Sequence, residues 1–161
     1  MNILVITGTQ KFPFNRLIKA ADELVKTYPD ISGFAQIGTS TYIPSYLNYK
    51  EFLSKDEMNQ KLRKADVILT HGGTGSIISA LKISKPVVAV ARLAKFNEHV
   101  DDHQKEIVEE FKKDGMLIEA EDLSESALYK ALTEAVEMPK ITYQSNTDNV
   151  LNELRRIIES C

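Results

Sequence analysis

The sequence is poor in the residues that most small sites are built from. Cys161, at the very end, is the only cysteine. A disulfide within the chain and a cysteine-based metal site are therefore excluded, and a reducing compartment is expected. Histidine occurs three times, at His71, His99 and His103. Positive charge is not in excess: the formal net charge is −3, with no basic stripe, so nucleic acid is not an expected partner. No apolar run approaches the length of a membrane span, which argues against direct membrane insertion. The first strand pattern begins at the first residues, which leaves no room for a signal peptide and predicts a cytoplasmic protein. Three motifs are also missing. The glycine order is neither Gly-x-Gly-x-x-Gly nor a Walker A loop, and no His-Glu-x-x-His occurs.

What remains is an ordinary globular composition, 43% hydrophobic and 27% charged over 161 residues, enough for one domain with a real core. The chain is organised around residues 65–103. Val67–Thr70 is a short apolar run that reads as a buried strand. His71-Gly-Gly-Thr-Gly-Ser76 is a glycine-rich turn, and Ile77, Ile78 and Leu81 then share a helical face. Pro86–Ala91 is a second buried strand, so the stretch is one βαβ unit. Glycines let backbone approach a ligand, and the first N–H groups of a helix lack internal partners at the positive end of its dipole. Gly72, Gly73, Thr74, Gly75 and Ser76 are therefore candidate phosphate contacts. A tight turn with no ligand is the competing reading.

The rest of the chain repeats the alternation. Asn2–Thr7 reads as a central strand ended by Gly8-Thr9-Gln10. Leu17, Ile18, Ala21, Leu24, Val25 and Tyr28 make an amphipathic helix stopped by Pro29. Ser32–Gly38 is a second strand, and Lys50–Leu53 a short third one. Ser54 with Glu57 predicts a capping box opening a helix over Lys55–Lys64. A helix is expected from about Val100 to Lys113, capped by Gly115, then a strand at Met116–Glu119 and a helix carrying Leu128 to Val136, broken by Pro139. A final amphipathic helix is expected at Val150–Ile158, so the expected division is a domain over 1–139 and a C-terminal helix over 140–161. The pattern predicts an α/β fold, an open and mostly parallel Rossmann-like sheet with helices on both faces, and a ligand at the carboxyl ends of the strands. Gly8 and Thr9 would then face the same crevice as the glycine turn.

Two further stretches stand out. Thr39–Tyr49 holds three of the six tyrosines and almost no charge. It reads either as a loop folded on the core or as a partner-facing patch. The segment Glu98-His-Val-Asp-Asp-His-Gln104 is the dense polar cluster, preceded by a loop with the cations Arg92 and Lys95. His99 and His103 share a helical spacing but lack a third-ligand pattern, so no metal is expected. Gln104, donor and acceptor in one amide, suits a sugar hydroxyl.

In combination these pieces resemble the donor-binding half of family-28-type glycosyltransferases. The residues that carry the resemblance are His71-Gly-Gly-Thr-Gly-Ser76, Lys85-Pro-Val-Val-Ala-Val90 and Glu98-His-Val-Asp-Asp-His-Gln104, with Val5-Ile-Thr-Gly-Thr9, Phe34-Ala-Gln-Ile-Gly38 and Lys50-Glu-Phe-Leu-Ser54 upstream. Within that group the chain is similar to the small split forms. These are the bacterial capsule and exopolysaccharide subunit and the eukaryotic subunit that extends a dolichol-diphosphate-linked sugar. The resemblance implies half of a two-Rossmann-domain (GT-B) enzyme that holds a UDP-sugar as donor substrate, with no separate cofactor. It implies a diphosphate seat at Gly72–Ser76, a uracil edge read by the main chain at Phe52 and Leu53, and ribose or donor-sugar contacts from Asp102 and Gln104. Arg92, Glu98, His99 and His103 join His71 as candidate substrate contacts, and the catalytic base is left unassigned. Where full-length relatives place a glutamate that binds ribose, this chain has Ser79. The missing half implies a membrane-associated partner subunit that presents a lipid-linked acceptor.

Overall fold

The computed structural model describes residues 1–141 and residue 143. The expected C-terminal helix at Val150–Ile158 lies outside the described residues. Among the described residues, six strands form one parallel sheet: β1 (Asn2–Ile6), β2 (Ser32–Gln36), β3 (Asn48–Lys50), β4 (Val67–His71), β5 (Val87–Val90) and β6 (Ile118–Glu119). Five α-helices alternate with them: α1 (Asn15–Thr27), α2 (Lys55–Lys64), α3 (Thr74–Leu81), α4 (His103–Lys113) and α5 (Glu125–Glu137). The strand order is β3-β2-β1-β4-β5-β6, so the direction of winding reverses between β1 and β4. Every neighbouring pair is parallel, with Ile3 opposite Val67 and Ile6 opposite Thr70 across the reversal.

The central strands are buried on both faces, as their unbroken apolar runs require. Alternation along β1 feeds two cores. Ile3 and Val5 pack with Leu17, Ile18 and Leu24 of α1 and with Leu128 and Leu132 of α5. Leu4 and Ile6 pack with Leu62 of α2, Ile77 and Leu81 of α3 and Val108 of α4. Local signals are met where they are strong. Ser54 and Glu57 form the reciprocal capping box of α2. Gly115, at φ 66°, closes α4 in a Schellman arrangement, with Gly115 N donating to Lys112 O and Met116 N to Phe111 O.

Several strand ends differ from expectation by one or two residues, and two boundaries differ for a clear reason. The third strand runs over Asn48–Lys50, two residues before Lys50–Leu53, because pairing with Phe34–Gln36 sets its register. Helix α4 starts at His103 rather than near Val100, because residues 97–102 form a loop held by Asp101 and Asp102 side chains. The Thr39–Tyr49 segment folds onto α1. Asp22, 1% exposed, accepts from the Tyr42 hydroxyl and from the backbone N–H groups of Ser45, Tyr46 and Leu47. Ile43 and Tyr46 nevertheless stand exposed on its outer side.

Candidate functional site

A cleft of about 440 Å³ opens at the carboxyl ends of β1, β2 and β4, at the point where strand order reverses. One wall is the turn after β1, Gly8-Thr9-Gln10, with Gln36 at the end of β2. A second wall is apolar: Ile6, Leu53, Met58 and Leu62. The third is the glycine turn and the first turns of α3, through His71, Gly73, Gly75, Ser76 and Ser79. None of these side chains is an acid, a lysine or an arginine.

The glycine turn is shaped around His71. Its imidazole is 6% exposed and lies between the two βα turns. A Cβ on Gly73 would collide with that ring, and one on Gly8 would sit 2.6 Å from its Nε2. Gly8 also needs its left-handed φ of 79° to turn the chain away. Gly75 is different: a Cβ there would meet nothing within 4 Å, so its backbone faces open space. No side chain caps α3, and Ser76 N and Ile77 N both turn back to Gly73 O. The positive end of the helix is thus presented to the cleft. The Ser79 hydroxyl donates to Gly75 O at 2.6 Å, which leaves it only lone pairs to offer a ligand.

Burial, and then the positive charge of Arg92, push the His71 pKa down to about 4, so the ring is neutral at pH 7. Its Nδ1 is 3.4 Å from Gln104 Nε2 and its Nε2 is 3.3 Å from Ser76 Oγ.

Gly8, Thr9, Leu53, His71, Gly73, Gly75 and Ser76 are therefore brought together around one cleft. Gly72 and Thr74 belong to the same turn but do not line it. Gly72 instead lies against Gln104 and Val108. Other candidates are placed elsewhere. Phe52 is 44% exposed and does not line the cleft, although its neighbour Leu53 does.

Arg92 does not line the cleft: it is 1% exposed and donates to Thr7 O at 2.5 Å, Phe12 O at 2.9 Å and Glu98 O at 3.0 Å. These contacts strap the turn after β1 to the loop after β5 and hold both terminal nitrogens of the guanidinium on backbone carbonyls, while its Nε is buried without a partner. Glu98 is likewise committed, to Arg16 through both oxygens and to Leu93 N. Gln104 is buried beneath the site, with Oε1 accepting from Arg92 N and its amino group on His71. Asp102 accepts from Ala94 N and His99 pairs with Asp101 in the loop before α4, while His103 pairs with Glu106 in the first turn of that helix, and none of them lines the cleft. Among the described residues no group of three His, Cys, Asp or Glu side chains could hold a metal ion. Sequence reasoning did not single out Gln36, Met58 and Leu62; the signal that could have found Gln36 is its place at the end of a parallel strand.

The family model of the glycosyltransferase family 28 C-terminal domain matches residues 2–161. The chain belongs to this family. Among curated relatives of this family-28 domain, a UDP-N-acetylglucosamine transferase subunit ALG13 from Yarrowia lipolytica is 30% identical over 148 residues, 82% of this chain and 71% of that protein. A human protein of the same name is 31% identical over 125 residues, 71% of this chain but 10% of that protein. Among solved structures, Acinetobacter baumannii MurG superposes with a TM-score of 0.63 at 18% identity, over 96% of this chain and 49% of that one. A glycotransferase of kitacinnamycin superposes with a TM-score of 0.62 at 20% identity, over 84% of this chain and 35% of that one. The fold is therefore that of half of a GT-B glycosyltransferase, and the family-28 domain spans half or less of those solved chains.

Proposed function

We propose that this chain is the donor-binding, catalytic subunit of a two-component glycosyltransferase. It takes a UDP-sugar and transfers the hexose to a lipid-diphosphate-linked acceptor, in exopolysaccharide, capsule or glycolipid synthesis. The observation that carries this reading is the cleft at the strand reversal, where an uncapped helix and an open Gly75 backbone face an apolar wall. The apolar wall of Leu53, Met58 and Leu62 suits a flat base. The first turn of α3 suits a diphosphate. Without a charged side chain in the cleft, backbone N–H groups, the Ser76 hydroxyl and the helix dipole would carry the stabilisation of the leaving diphosphate.

In the reaction the bond between the sugar's anomeric carbon and the diphosphate oxygen breaks, and one to the acceptor hydroxyl oxygen forms. UDP leaves, and the hydroxyl proton passes to a base, which we assign to the partner. This half supplies donor placement; the partner supplies the acceptor and closes the site. No helix among the described residues is long and apolar enough to cross a membrane. In this reading the partner is membrane-associated and brings the chain to the cytoplasmic face. The exposed side of Thr39–Tyr49 is the proposed docking surface.

The test is an assay of this chain, the partner and their mixture with a panel of UDP-sugars, beginning with UDP-N-acetylglucosamine, on a lipid-diphosphate acceptor. Transfer by the mixture alone is expected. A chain that matches the mixture by itself overturns the split arrangement. A partner that matches it alone reduces this chain to a nucleotide-sugar-binding accessory.

A further inference from the structure

We infer that Gln104 and His71 are positioning residues that hold the Ser76 hydroxyl as a hydrogen-bond donor toward the donor diphosphate. The inference rests on the reading of the cleft as a nucleotide-sugar site.

Three contacts set the direction of the relay. The backbone N–H of Arg92 can only donate, so the oxygen it meets at 3.3 Å is the Gln104 carbonyl. The Gln104 amino group is thereby turned to His71 Nδ1 at 3.4 Å, and an amino group can only donate. Nδ1 must then accept, which places the single proton of a neutral imidazole on Nε2. From Nε2 the proton points to Ser76 Oγ at 3.3 Å. Ser76 accepts there, so its own hydrogen is released toward the cleft it lines.

The arrangement is guarded against protonation. The groups whose positive charge acts on the ring are the Arg92 guanidinium after β5 and, when it is protonated, His99 in the loop before α4, and both oppose a second proton. Gln104 could favour the charged ring only by turning its carbonyl to Nδ1, which would set its amino group against the Arg92 N–H. The glycines at 8 and 73 leave the ring the space it fills.

Replacing Gln104 by Glu reverses the relay. A carboxylate accepts from Arg92 N and also from the ring, so the proton moves to Nδ1. The bare Nε2 then draws the Ser76 hydrogen away from the ligand. Acidification adds a second proton at Nε2, and Ser76 is again released; the neighbouring carboxylate raises the pKa at which this happens.

The probe is UDP-N-acetylglucosamine, whose diphosphate diester keeps one charge state across the range, titrated calorimetrically into the full chain from pH 8 to pH 5.5. Wild type is expected to bind with a flat profile. Gln104→Glu is expected to bind about tenfold more weakly at pH 8 and to recover as the pH falls. Ser76→Ala is expected to be weak and flat, and adding Gln104→Glu to it should change affinity less than about twofold. Nitrogen-15 NMR of the wild-type His71 ring needs no variant, and should show the proton on Nε2. A ring protonated on Nδ1 overturns the inference, as does a Gln104→Glu profile that overlays wild type. If Gln104→Glu does not fold, the ring tautomer and the Ser76→Ala affinity still decide it: wild-type affinity in Ser76→Ala overturns it. A wild-type chain that binds no UDP-sugar overturns the reading of the cleft, and the donor role with it, whichever tautomer is found.

Discussion

The imidazole of His71 fills the space that a side chain on Gly73 would need. A glycine turn that looks like a phosphate loop is, at this position, first a seat for a buried ring. Gly73→Ala is therefore expected to destabilise the fold by about 1–3 kcal/mol through overpacking. Removing the ring with His71→Ala should relieve that cost, giving a clear coupling in a double-mutant cycle. Gly8→Ala should be rescued less, because φ 79° adds a backbone cost of about 1–2 kcal/mol that the ring does not cause. Denaturant melts of the two cycles check both statements.

Gly75 is the glycine whose position tests the ligand. Nothing surrounds its missing Cβ, and it sits in the first turn of α3. Gly75→Ala should leave the fold intact and raise stability by up to about 1 kcal/mol, from helix propensity. The same methyl should weaken UDP-sugar binding, because it stands where backbone must meet the diphosphate. Thermal melts and calorimetry on one preparation give both numbers. Undiminished binding would move the diphosphate off this turn.

The buried neutral His71 makes stability depend on pH in a defined window. Its folded pKa, about 4, lies below the ordinary value of 6.5. The unfolded chain therefore binds the proton first as the pH falls. The stability contribution is present above pH 6.5 and is lost progressively toward pH 4, by on the order of 3 kcal/mol. Urea melts at pH 7, 5.5 and 4 measure the loss. The difference from His71→Asn isolates this ring from His99 and His103, and a zero difference would show that the ring is not held neutral.

Glu98 joins α1 to the loop after β5. Arg16 reaches both of its oxygens, at 2.9 and 2.8 Å, and Leu93 N donates to one of them at 3.1 Å. Arg16 is a quarter exposed, so part of the attraction is screened. Glu98→Gln is expected to cost about 2–4 kcal/mol, mostly by leaving the guanidinium and an N–H imperfectly paired. Arg16→Lys keeps the charge but loses the two-pronged fit, and should cost less. Melting of the three proteins in parallel decides this, and equal stability would remove Glu98 from the frame of the loop.

These residues show where sequence reasoning reached and where it stopped. Val67–Thr70, the turn after it and the Ser54–Glu57 box were legible because their signals are local: apolar runs, glycines and a cap at fixed spacing. Parallel order followed from the alternation of strands and helices. The partners of Arg92, Glu98 and Gln104 were not legible, for the opposite reason. A polar residue near a strand end reads as a ligand contact, yet each partner here is distant in the chain or is backbone: Thr7, Arg16 and His71. Only the folded sheet brings those groups together. The start of α4 slipped for a smaller reason: Asp102 serves Ala94 N instead of continuing a helix.

The Thr39–Tyr49 segment was open to two readings, and the structure divides it between them. Its inner side is fixed by Asp22, which takes one hydroxyl and three backbone donors. Asp22→Asn would set an amino group against some of those donors, and should cost about 2–4 kcal/mol and loosen the whole segment. Tyr42→Ala is an unsuitable probe of a partner, because the Tyr42 hydroxyl is one of the four. Ile43 and Tyr46 are 55% and 53% exposed, and Tyr46 contributes only its backbone N–H to Asp22. Large apolar side chains left in water on a pinned loop suit an interface whose backbone is already ordered, so binding would not have to order it again. Ile43→Ser with Tyr46→Ser should therefore leave stability within about 0.5 kcal/mol while sharply reducing capture of the co-expressed partner. Circular dichroism melts and pull-down from the same lysate separate the two effects. Intact capture by this double variant would move the docking surface away from the loop, while weakened capture only in Asp22→Asn would show that the fold of the segment, not its exposed face, is what the partner requires.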